Sequence, residues 1–263
     1  MKKMDVEMDK KGQVTIFIIL GIAIVIVLII LFSSGGDFTS IFLGKSPVQK
    51  MEECVSGPLE SGLELVRNQG GSIDPENYYL YKDRKIDYIC FTDQSFQKCV
   101  MQKPLLKESV ENELEDYIKE DVVRCLEDER DALNRGTTSV TFKDPKVEVS
   151  LVPNDVIVVT ELDLKIVKGE TSESYKSIRT DVNSKLYDFV FVAADIANNE
   201  VEYGDATVDK YSFLDKSLKV EKIKQGDETT VYILSDRGSD EQFYFAIKSI
   251  PIPPGWIDGE LFE

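Results

Sequence analysis

The chain has 263 residues, 42% of them hydrophobic, which is enough for a membrane anchor plus one sizeable domain or two small ones. Its formal charge of -17 repels a phosphate backbone, so nucleic acid is excluded as a natural partner. Histidine is absent, which removes serine–histidine triads, histidine-based zinc sites and facial triads; no metal, cofactor or catalytic residue is expected.

Residues 1–13 carry Lys2, Lys3, Lys10 and Lys11 and are expected to be cytoplasmic. From Val14 to Phe32 there are 19 residues without a charge. At about 1.5 Å rise per residue, such a helix matches a hydrocarbon core of roughly 30 Å, so residues 14–32 are predicted to span the membrane once. A cleaved secretory signal has a shorter apolar core and a small-residue cut site, for which only Ser33-x-Gly35 offers a match; the segment therefore reads as a retained anchor. Lysines precede the run and Asp37 is the first charge after it, which places everything beyond about Ser33 outside the cytoplasm.

Lys10-Lys11-Gly12-Gln13, followed at once by the apolar helix, resembles the class III signal of archaeal type IV pilin-like proteins. The resemblance implies cutting between Gly12 and Gln13. In the Q-x-S-x-E pattern of many such pilins Gln13 fits, Thr15 stands in for serine, and Phe17 occupies the glutamate place. Ser33-Ser34-Gly35-Gly36 is expected to break the helix, so that residues 33–45 form a linker.

Residues 46–136 read as a helical, disulfide-containing region. Ser46, Pro47 and Gln49 give an N-cap, a first-turn proline and a capping-box partner. Val48, Met51, Val55, Leu59, Leu63 and Val66 then recur at helical spacing until Gly70-Gly71, with Pro58 expected to kink the helix. A second helix is predicted from about Pro104 to Asn134, on the stripe Leu106, Val110, Leu114, Ile118, Val122, Cys125 and Leu126, with Gly136 ending it. Its opposite face, rich in Asp and Glu, reads as solvated.

All four cysteines, Cys54, Cys90, Cys99 and Cys125, follow the apolar run and none forms a C-x-x-C pair, so they read as disulfides. If the two helices pack antiparallel, Cys54 and Cys125 come level; Cys90 and Cys99 flank a segment short enough to close on itself. The favoured pairing is therefore Cys54 with Cys125 and Cys90 with Cys99, the first closing a loop of about 70 residues.

Residues 137–250 read as a sheet-rich α+β region. KVEVSLV (146–152) alternates, Pro153-Asn154-Asp155 turns, and VIVVTELDLKIV runs to Val167, as a hairpin should. A strand follows around Tyr175 to Thr180. Val182, Leu186, Phe189, Ala193 and Ile196 then predict a helix, and TTVYILS (229–235) and QFYFAIK (242–248) predict two late strands. Residues 251–263 form a proline-rich tail holding Trp256. The fold class is α+β: a transmembrane helix, a disulfide-linked helical pair, and an antiparallel sheet with a packed helix.

The order of anchor, cysteine-bearing helix ending at Asn68-Gln69-Gly70-Gly71, acidic helix and Asp155-Val156-Ile157-Val158 hairpin is similar to that of uncharacterised archaeal exported single-pass membrane proteins. The resemblance implies a surface-attached protein of an archaeal cell and brings no activity with it. Ser95-x-x-Lys98 has the spacing of a serine–lysine pair, and Asp236, Asp240 and Glu241 gather at a turn; both read as chance. The expected function is a non-enzymatic, membrane-anchored extracytoplasmic protein that meets a protein partner at the cell surface. The alternatives are a pilin-like subunit, which would be a homo-oligomer, and a hydrolase using carboxylates alone.

Overall fold

A computed structural model of the chain describes residues 45–250, together with Leu20, Gly21, Ile22 and Val25, which are helical. Apart from those four residues, the predicted span over 14–32 lies outside the described residues, as do the Gly12–Gln13 site, the linker up to Gly44 and the tail over 251–263. Among the described residues no helix is long and apolar enough to cross a membrane.

From Pro47 to Ile250 the described chain forms one compact unit. Helix α1 (Pro47–Asn68) buries Met51, Cys54, Val55, Leu59, Leu63 and Val66 along one face and runs through Pro58 without interruption. Gly70 and Gly71 end it with φ of 72° and 86°, and the Gly71 amide donates to the Val66 carbonyl at 2.8 Å. A side chain at position 71 would bring its Cβ to 2.7 Å from Val110 Cγ2, so this turn requires glycine for space as well as for conformation. Helix α2 (Leu106–Asn134) buries Leu106, Val110, Leu114, Ile118, Val122 and Leu126, one residue in every four. Lys50 meets Glu129 near one end of the helix pair, and Gly62 faces Leu114 and Tyr117 further along, so α1 and α2 run antiparallel.

Three strands lie between these helices, β1 (Tyr78–Tyr81), β2 (Arg84–Phe91) and β3 (Val100–Met101), where a helical region was expected. After α2 come β4 (Thr138–Thr141), β5 (Lys146–Val152), β6 (Asp155–Lys168) and β7 (Thr171–Asn183). Helix α3 (Leu186–Tyr203), a six-residue helix α4 (Asp209–Leu214), and strands β8 (Leu218–Lys224), β9 (Thr229–Asp236) and β10 (Gln242–Lys248) complete the order.

The strands form two sheets rather than one. In the first, β1 and β3 share an edge of β2, and the order continues β2-β10-β9-β8. Its β2–β10 pairing is parallel, so this sheet is mixed, which corrects the expectation of a purely antiparallel one. The second is antiparallel: β4 and β5 flank one side of β6, and β7 the other. Pro153 and Asn154, the latter at φ 68°, make the two-residue turn between β5 and β6. Helices α1 and α3 contact strands of both sheets, and one hydrophobic core draws residues from both. A second, smaller cluster of Ile86, Tyr88, Val231, Ile233, Tyr244 and Ala246 covers the other face of the mixed sheet.

Candidate functional site

Helix α3 forms one wall of a concave surface. Leu186, Phe189, Val190, Ala193 and Ile196 turn inward, so the rows between them carry Tyr187, Asp188, Phe191 and Asp195 towards solvent. The start of α3 is held by Glu241, whose carboxylate accepts from Ser184 Oγ at 2.6 Å, from the Lys185 amide at 3.2 Å and from Arg67 at 2.7 Å. A negative group there complements the helix dipole as well as its free amides.

Opposite α3 stands α4. It is too short to be stable alone and is fastened by Tyr211, whose ring is buried and whose hydroxyl donates to Asp195 Oδ2 at 2.5 Å. Lys210 reaches the same oxygen at 3.0 Å. Asp215 then closes the turn into β8 by accepting from the Ser217 amide and hydroxyl, each at 2.8 Å. Between α3, α4, this turn and Asp236 lies a cleft of ≈ 460 Å³. Its walls are Phe191, Val192 and Leu214, and its rim carries Asp188, Asp215 and Asp236 against a single lysine, Lys185. Phe191, Phe213 and Leu214 are 69%, 86% and 81% exposed.

The carboxyls here are tuned to stay ionised. Burial pushes Asp195 up, but the hydrogen bonds from Tyr211 and Lys210 outweigh it and hold the group below its ordinary range. The Ser217 hydroxyl and amide likewise hold Asp215 down. Burial, followed by the bond to Asp195, raises the Tyr211 phenol well above its usual value. A general acid needs a carboxyl shifted the opposite way, so these two groups suit cation or amide recognition rather than proton donation. Because the folded Asp195 is depressed, its contribution is complete above about pH 4 and is lost as pH falls through the folded value. The bond tying α4 to α3 is therefore expected to hold at pH 5 and to loosen as pH drops below about 4. Tyr211 ring resonances followed by NMR should report this, and Asp195→Asn should remove the acid dependence; resonances that do not respond to acid would contradict it.

The structure joins Cys54 to Cys125 at 2.02 Å and Cys90 to Cys99 at 2.05 Å, so all four cysteines are bonded in the favoured pairing. Ser95 and Lys98 lie in a loop rather than on a helix, and Lys98 donates to the Glu202 carbonyl at 2.8 Å. Asp236 accepts from the Gly238 amide while Glu241 turns to Arg67, which separates two members of that acidic turn. Among the described residues no group of three or more acidic or cysteine side chains is placed to hold a metal.

Two buried polar clusters had no place in the sequence reading. Asp87 accepts from Ser72 Oγ at 2.5 Å and pairs with Lys103 at 2.6 Å, and Lys103 also contacts Ser72. These contacts clasp the loop after α1 to β2 and to the entry of α2. The second cluster joins Glu200, Tyr232, Lys222 and Asp205. It carried a signal that could have been read: Glu200 follows Ile196 by four residues and so falls on the buried stripe of α3.

Fold and cleft together define a disulfide-stapled α+β protein with an apolar, acid-rimmed cleft. Comparison of the chain with family models, curated proteins and solved structures finds no match.

Proposed function

We propose that the chain is a non-enzymatic, membrane-anchored extracytoplasmic protein that makes contacts or supports assembly at the surface of an archaeal cell. The observation that carries this reading is the pair of disulfides, which occupy every cysteine in the chain. Such bridges persist in oxidising compartments and are rare where thiols are kept reduced. The uncharged run over 14–32 supplies the anchor, and the cleft between α3 and α4 supplies a surface for a protein partner. A second reading, a pilin-like subunit processed between Gly12 and Gln13, is favoured by the Lys10-Lys11-Gly12-Gln13 sequence.

Intact cells expressing the full chain provide the test. Added protease should digest residues 45–250, and an impermeant maleimide should label no thiol without prior reduction. A protected domain or free cysteines would overturn the reading. The mass of the mature N-terminus separates its two forms: a start at Gln13 supports the pilin-like subunit, and an intact Met1 or Lys2 excludes it.

A further inference from the structure

The cleft between α3 and α4 is apolar in its walls and unbalanced in its charge. Asp188, Val192 and Asp195 line it from one face of α3, and Tyr211, Leu214 and Asp215 line it from α4 and its end, each set at spacings of three and four residues. The only lysine among the lining residues is already engaged: Lys185 lies 3.7 Å from Asp188 and donates to Asn154 Oδ1 at 2.7 Å. Asp195 is matched by Lys210. Among the described residues no cation pairs with Asp215 or Asp236. Asp215 accepts through Oδ1 from the Ser217 amide and hydroxyl, and Asp236 through Oδ2 from the Gly238 amide, so each carboxylate keeps one oxygen that accepts none of these bonds.

Two simple occupants match this site poorly. A bare Ca²⁺ takes about six to eight oxygen ligands, and among the described residues no group of three acids is placed to supply them. A small amine confined to the cleft leaves much of the neighbouring apolar surface in water. Phe213, beside Leu214, lies outside the cleft lining, and Tyr187 and Phe191 carry the surface across α3 to a second hollow of ≈ 270 Å³ walled by Leu105, Val190 and Ala194. An occupant that covers both hollows is elongated, as a polypeptide segment is.

We propose that the cleft binds an arginine-bearing apolar segment of a partner protein: the arginine stem lies along Phe191, Val192 and Leu214, the guanidinium meets Asp215 and Asp236, and neighbouring apolar side chains continue over Phe191 towards Leu105. This supplies the chemistry of the protein partner in the reading above and rests on it. Arginine suits the site better than lysine, because its guanidinium is planar and weakly hydrated, stacks on a ring such as Phe191, and offers a fork of donors to two carboxylates. At roughly 150 Å³ for a ring-sized group, ≈ 460 Å³ takes about three such groups, which one arginine and two apolar side chains fill. An arginine desolvated among apolar neighbours is the kind of anchor that carries most of the energy of an interface.

The full-length chain, purified in lipid nanodiscs, is titrated with fluorescently labelled capped peptides. The first is Leu-Arg-Leu-Phe, the second has citrulline in place of arginine, and the third, Gly-Arg-Gly-Gly, keeps the charge without the apolar side chains. The first should bind about tenfold more tightly than either of the others. Asp215→Asn with Asp236→Asn should abolish the preference for arginine over citrulline while leaving the citrulline affinity unchanged, which shows that the variant is folded. Asp188→Asn, at a carboxylate that Lys185 already matches, should keep the preference, and Phe191→Ala should weaken both Leu-containing peptides. Equal binding of the citrulline peptide, or a preference that survives the double substitution, would overturn the site. Equal binding of the glycine peptide would mean only the general attraction of a chain of charge -17 for cations. Arginine amide binding as tightly as the first peptide would replace the protein partner by a small amine. An exported chain with no arginine preference overturns the site alone; a chain with that preference found inside the cell overturns the localisation alone.

Discussion

Replacing Cys54 and Cys125 together by alanine is expected to lower the stability of the folded unit by about 4 kcal/mol. The bridge spans 71 residues of sequence, and constraining so long a loop removes much of the freedom of the unfolded chain. The Cys90–Cys99 bridge spans only 9 and on the same reasoning contributes about 2.5 kcal/mol. It also has local help, since Cys90 pairs with Met101 across β2 and β3 whether or not the sulfurs are joined. Against a total stability of roughly 5–15 kcal/mol, the first loss threatens folding and the second does not. Denaturant midpoints of the two double variants measure both effects. Equal losses, or a larger loss for Cys90 with Cys99, would mean that loop length does not govern these bridges.

What the sequence showed of this fold depended on whether an element faces one environment or two. Helix α2 has one buried face, so Leu106 through Leu126 recur every fourth residue and its bounds are readable. The β5–β6 hairpin has one buried face as well, and Val147, Val149 and Leu151 alternate with polar neighbours. Strand β2 is different: Ile86 to Cys90 are buried on both faces, with Asp87 among them because Lys103 and Ser72 neutralise it. No period of two survives there, and its parallel partner β10 lies far along the chain, beyond the reach of any local pattern. Val182 reads as the first residue of the α3 stripe, yet it belongs to β7. The helix begins at Leu186 because Ser184 and the Lys185 amide are gathered by Glu241, a residue that sequence spacing could not bring to that point. The cleft was invisible for a related reason. Its second wall is a six-residue helix that exists only because Tyr211 and Lys210 reach Asp195.

Glu200→Ala is expected to cost about 2–4 kcal/mol, comparable to the long disulfide. Glu200 is 2% exposed, accepts from the hydroxyl of the fully buried Tyr232 and from the Ala206 amide, and lies 3.5 Å from Lys222. Alanine leaves Tyr232 without its acceptor and opens a hole at the C-terminal end of α3; either fault alone costs about 1–3 kcal/mol. Lys222 keeps Asp205 at 2.6 Å, so the loss stays short of that for a stranded buried charge. Glu200→Gln preserves size and an acceptor oxygen and should cost distinctly less, about 1–2 kcal/mol. The same cluster sets an alkaline limit. Burial, reinforced by Glu200, raises the Tyr232 phenol far above its usual value, so its contribution is complete below about pH 10 and declines as pH rises beyond that. Tyr232→Phe should therefore lower stability at neutral pH yet flatten its fall above pH 10, as read from thermal melts across the alkaline range. If Glu200→Gln proved as damaging as Glu200→Ala, the carboxylate charge rather than the hydrogen-bonded packing would be what holds α3 against β8 and β9.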